Sequence, residues 1–105
     1  MTNLNDREKA LENKYAKDQE RLFRIESRAA KLLGLWAAQE MGLIGEDASG
    51  YAGDVVASNM KEAGMGDVVA KVSADLAAKG KPADQVEALL NKFLKDAEDQ
   101  VNQAL

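Results

Sequence analysis

The sequence contains no cysteine and no histidine, one proline, and only one Trp, two Tyr and two Phe in 105 residues. Without Cys there are no disulfides and no thiolate nucleophiles or metal ligands. Without His there are no haem-ligating imidazoles and no catalytic triads that need one. Most enzyme chemistry is excluded with them, and no catalytic or metal-binding residues are expected. Lack of imidazole also removes the one side chain that ordinarily changes charge near neutrality, so the fold should be nearly insensitive to pH between about 6 and 8. Long apolar runs are missing too. No stretch approaches the roughly 18–20 residues needed to span a bilayer, and MTNLNDREKA has no apolar segment resembling a secretory signal. A basic excess is likewise absent: 14 Lys and Arg face 18 Asp and Glu, a net charge of −4, which argues against a nucleic-acid partner.

What is present is helix-forming sequence of high charge, 46% hydrophobic and 30% charged. From Leu22 to Ala38 the chain reads LFRIESRAAKLLGLWAA, with Leu22, Ile25, Ala29, Leu32, Leu33 and Trp36 at the three- and four-residue steps of one helical stripe. That stripe is expected to be buried, and its Trp alone would remove roughly 150–250 Å² from water. Gly34 sits inside it at a cost of about 1 kcal/mol relative to Ala, which predicts close approach of a neighbouring helix.

Upstream, residues 1–19 carry dense charge and few anchors, Leu4, Leu11 and Tyr15, and the seam passes through Asp18 before reaching Leu22. An isolated helix of that length is marginal in water. This segment therefore reads as a flexible arm that becomes helical when a partner covers its apolar positions. A solvated extension that binds nothing is the alternative. The first helix proper spans about 20–41, ending at Met41-Gly42. A second, 46–63, carries Tyr51, Ala52, Val55, Val56 and Met60 on one face. A third, 66–79, has Asp67 as cap or first-turn acid, Val68, Val69, Val72 and Leu76 on its stripe, and Lys79-Gly80 at its end. The fourth, 82–104, starts at Pro82 and bears Val86, Leu89, Leu90, Phe93, Ala97 and Val101. Four amphipathic helices joined by short Gly-containing turns predict an all-α fold, a four-helix antiparallel bundle whose long first helix is preceded by a flexible N-terminal arm. The acidic pairs read as solvated faces, GLIGEDASG and GMGD as turns rather than phosphate loops, and Arg21, Arg24, Arg28 and Lys31 as a basic run that could meet phosphate or an acidic partner surface.

Three stretches carry a resemblance: Asp6-Arg7-Glu8-Lys9-Ala10, then Lys14-Tyr15-Ala16-Lys17-Asp18, then Lys31-Leu32-Leu33-Gly34-Leu35-Trp36-Ala37-Ala38. Together they resemble the ATPase inhibitor subunit zeta family of α-proteobacterial F-type ATP synthases. Tyr51-Ala52, Val55-Val56, Glu62-Ala63-Gly64 and Asp67-Val68 follow in the same order. The sequence departs from the family at Leu4, Leu11 and Tyr15, where Phe is usual, at Asn5, where Asp is usual, and at Met65-Gly66, a commonly acidic pair. The resemblance implies a non-enzymatic inhibitor of ATP hydrolysis whose arm inserts into the catalytic head of the synthase. Contact would then fall on Leu4, Asp6, Arg7, Glu8, Ala10, Leu11, Glu12, Lys14 and Tyr15, with Leu4, Leu11 and Tyr15 as apolar anchors and Arg7, Glu8 and Glu12 setting register. It further implies a protein that is cytoplasmic, peripheral to the membrane-bound enzyme and monomeric when free, with no cofactor beyond weak ATP or ADP binding. A nucleotide-sensing module and a scaffolding bundle with an inert tail remain the rival readings.

Overall fold

The chain folds into four α-helices: α1 (Leu4–Glu40), α2 (Gly45–Asn59), α3 (Gly66–Ala78) and α4 (Val86–Gln103). The structure, a computed structural model, describes the backbone of residues 4–59 and 65–103, with side chains described for 18–59 and 65–103. No strand occurs among the described residues.

Two of the turns follow directly from glycine placement. After α1, Gly42 adopts φ +78°, its N–H bonding to the Gln39 carbonyl at 3.1 Å and that of Leu43 to Ala38 at 2.8 Å. After α3, Gly80 adopts φ +70°, with Gly80 bonding back to Ala77 at 3.0 Å and Lys81 to Leu76 at 2.9 Å. Both are Schellman caps, in which a left-handed residue lets the chain reverse and satisfy the last carbonyls. Side chains other than glycine rarely take that conformation. The start of α3 has no such device, since Met65 makes no side-chain cap and Asp67 acts only as a first-turn acid.

Gly34 is buried against α2. A Cβ built on it would lie 2.8 Å from the Cα of Ala52 and 3.3 Å from the Cβ of Val55. The expected close approach is therefore real, and it fixes α2 antiparallel to α1 across the Gly42 turn. The next crossing is polar. The Tyr51 hydroxyl on α2 donates to Asp75 Oδ2 on α3 at 2.9 Å, and Lys71 Nζ reaches the same oxygen at 3.1 Å while standing 5.4 Å from the Tyr51 ring centroid. Burial, then the hydrogen bond and negative charge of Asp75, hold the Tyr51 phenol protonated well above its ordinary range.

The core gathers Leu33, Val55, Val68, Val72, Leu76, Val86 and Leu90 around a face of α1 made otherwise of Ala29, Ala30 and Ala37. Small residues on α1 let the shorter helices come close and place branched side chains between them. The stripe expected from the sequence is covered only in part. Leu33 and Ala29 are fully buried, Ile25, Leu32 and Trp36 are half-buried, and Leu22 is 47% exposed. Leu32 and Trp36 flank the buried Leu33, Gly34 and Ala37 at the edge of the contact with α2, whereas at the Leu22 end the reason is length. At about 1.5 Å per residue the 37 residues of α1 span about 55 Å, whereas the 18 of α4 span about 27 Å, so the bundle accompanies only part of the first helix.

Two boundaries differ from expectation. Helical backbone runs unbroken from Leu4 through positions 19–20, where the sequence divides an arm from a bundle. The fourth helix starts at Val86 rather than Pro82. Ala83 packs against the core and its carbonyl accepts a long 3.4 Å turn bond from Val86, so residues 81–85 form the connection and Pro82 supplies a fixed φ within it. The expected helical end at 60–63 falls outside the described residues.

Candidate partner-binding surface

The nine residues expected to meet a partner, Leu4 through Tyr15, all lie in the N-terminal half of α1. Their backbone is helical, and their side chains lie outside the described residues. Positions 4, 11 and 15 fall at the helical spacing that continues into Leu22 and Ile25, so a single stripe runs from the helix start into the bundle.

Where that stripe enters the bundle, the structure shows a groove between α1 and α4. Its first wall is Asp18, Arg21, Leu22 and Ile25, and its second is Asn91, Leu94, Lys95 and Glu98. The floor is apolar and the rims mix both signs of charge. Sequence reading missed it. Phe23 is also 47% exposed, and the adjacent pairs Leu22-Phe23 and Phe93-Leu94 were the available signal, because bulky neighbours about 100° apart around a helix spread its apolar surface beyond one narrow stripe.

Further along α1 lies a second depression, against α2. Ser27, Arg28, Lys31, Leu32, Leu35 and Val56 line it, and it extends along α2 past Ala52 and Gly53. The Ser27 Oγ is buried and has no hydrogen-bond partner among the described atoms. The basic run of α1 is partly occupied internally: Arg24 pairs with Glu20 at 2.6 Å, and Arg28 Nε donates to Gln100 Oε1 on α4. Among the described residues no cluster of three potential metal ligands occurs, and no helix is long and apolar enough to cross a membrane.

Comparison with known proteins supplies the context for this surface. The family profile described as ATPase inhibitor subunit zeta matches residues 1–100. A solved structure titled "Solution NMR structure of the protein" is 38% identical in sequence, with a TM-score of 0.67, covering 79% of this chain and 96% of that one. No curated protein matches the chain.

Proposed function

Because the chain belongs to the ATPase inhibitor subunit zeta family, we propose that it inhibits ATP hydrolysis by the F-type ATP synthase, inserting the N-terminal half of α1 into the catalytic head. The observation that carries this reading is the reach of the family match, which includes the stretch of α1 that outlasts the other helices. A helix entering a groove satisfies its own backbone and recognises its site through side chains at three- and four-residue spacing. Leu4, Leu11 and Tyr15 would provide the apolar contact. Arg7, Glu8 and Glu12 would set register by charge, with Asp6, Ala10 and Lys14 completing the covered surface.

Inhibition of this kind needs no reaction at the inhibitor, which agrees with a chain devoid of His and Cys. The bundle serves as the body that holds the inserted helix at the enzyme, in the cytoplasm and peripheral to the membrane, and the free protein is monomeric. Steady-state ATP hydrolysis by the cognate enzyme, titrated with the full chain, should fall saturably. Unchanged hydrolysis at a large excess of the chain would overturn the proposal.

A second reading draws on the depression between α1 and α2. There Lys31 and Arg28 stand beside the apolar Leu32, Leu35 and Val56, with the unpartnered Ser27 hydroxyl among them. Cations for a phosphate beside an apolar face for a base describe weak purine-nucleotide binding. Backbone NMR shifts that saturate on ATP addition at Ser27–Leu35 would favour it, and their absence would remove it.

A further inference from the structure

We infer that Arg21, Arg24, Arg28 and Lys31 form a basic row that docks on an acidic patch of the ATPase, separate from the contact proposed at residues 4–15. The inference rests on the proposed function for the identity of the partner, and on the row itself for that partner's chemistry.

The four residues recur at three- and four-residue steps, so they share one face of α1 over about 15 Å. Leu33, at the centre of the core, stands about 160° round the helix from the middle of that face, which therefore points to solvent. Arg24, Arg28 and Lys31 are exposed and Arg21 is half-buried. Of the acids in this stretch only Glu20 shares the face, since Asp18 and Glu26 lie about 100° and 180° from its middle. Neither partner within the chain cancels the row. Arg24 holds Glu20 in a pair whose side chains are 58% and 60% exposed, where water screens most of the attraction. Arg28 donates to Gln100, which is neutral and leaves the cation its charge. Successive cations stand about 4.5–6 Å apart along the axis, inside the screening length of about 8 Å in physiological salt, so a partner meets them as one patch. Like charges three and four residues apart also weaken a helix, and an anionic surface laid across them relieves that repulsion.

The remainder of the chain has the opposite sign. Residues 41–105 carry six Lys and no Arg against eleven Asp and Glu, and the whole chain has a net charge of −4. An extended polyanion, whether a membrane surface or a nucleic acid, would attract the row and repel the body behind it. A compact acidic patch about as long as the row gains the attraction without that penalty. The side chains agree with carboxylates as the target: three of the four are Arg, whose planar guanidinium takes a carboxylate through two parallel hydrogen bonds. A small phosphate ligand in the α1–α2 depression would meet Arg28 and Lys31, which line it, but not Arg21 or Arg24, which do not. Those two residues therefore separate the row from the depression.

The test uses the full-length chain carrying Arg21→Gln with Arg24→Gln, and a control, Lys81→Gln with Lys92→Gln, that removes the same charge from exposed positions beyond α1. At low salt, association with the immobilised cognate ATPase should slow about tenfold for the row variant and little for the control, and the difference should shrink as salt rises. Arg24→Gln alone, at an exposed site, should give about threefold with the thermal midpoint unchanged. Equal association of the row variant and the wild-type chain would overturn the inference. Equal slowing by the control would assign the effect to net charge and overturn it too. If the row variant keeps its association with the ATPase and instead loses co-sedimentation with phosphatidylglycerol vesicles, the row belongs to a membrane and the inference fails. A wild-type chain that associates through the row without lowering hydrolysis would sink the functional proposal and leave the docking row standing. One that does not associate at all would end both.

Discussion

A chain lacking residues 1–19 is expected to keep its bundle and to lose inhibition of ATP hydrolysis altogether. Every fully buried apolar residue described lies at Ala29 or beyond, and the earliest half-buried one packed against the core is Ile25. Truncation therefore removes helix without removing described core, and tolerance of truncation follows from what the lost backbone had buried. The double substitution Leu11→Asp and Tyr15→Asp should act in the same way, since it places charge where the inserted helix needs apolar contact, while leaving the free protein's thermal transition almost unchanged. Two measurements decide the matter, the thermal midpoint of the truncated chain and hydrolysis by the cognate enzyme with each form added. Retained inhibition would move the active surface onto the bundle. Collapse of the fold would make the first 19 residues part of its support.

The second large effect concerns the centre of the bundle. Leu33→Ala should lower the unfolding free energy by about 2–5 kcal/mol, the usual range for emptying a fully buried leucine site. Leu33 is completely buried and stands among Val55, Val72 and Leu76 in the core cluster. Against a total stability of about 5–15 kcal/mol for a domain of ordinary size, such a loss approaches the limit of folding. Trp36→Ala should cost less than its ring size suggests, because the half-buried indole already meets water. Chemical denaturation of the two variants gives the order directly, and a larger loss at Trp36 would displace Leu33 from the centre.

That order was not legible in the sequence, and the reason is general to helices. Periodicity identifies the apolar stripe, but the arc of it that is buried depends on where neighbouring helices lie and how far they extend. Leu22 and Leu33 belong to the same stripe, yet one is 47% exposed and the other is not exposed at all. The α1–α4 groove was hidden for the same reason, since it exists only once two helices distant in sequence are placed together. Features set by local backbone were readable in advance. Gly42 and Gly80 marked the turns where positive φ is needed, and Gly34 announced the close contact with Ala52. Pro82 misled because its fixed φ suits a connecting turn as well as a first helical turn, and packing of Ala83 decided between them. The surface proposed at residues 4–15 rests on sequence spacing and family membership alone.

The contact of Gly34 with Ala52 also bears on the order in which the molecule assembles. It joins positions 18 apart across a four-residue turn, and it freezes almost no side-chain freedom, because glycine and alanine have none to lose. The bond from Arg28 to Gln100 spans 72 residues, and closing that longer loop costs chain entropy before any contact rewards it. The α1–α2 hairpin is thus the expected folding nucleus, with α4 arriving last. Substitutions at Ala52 should slow folding, while those at Gln100 should act almost wholly on the rate of unfolding, a partition that stopped-flow kinetics reads for each site.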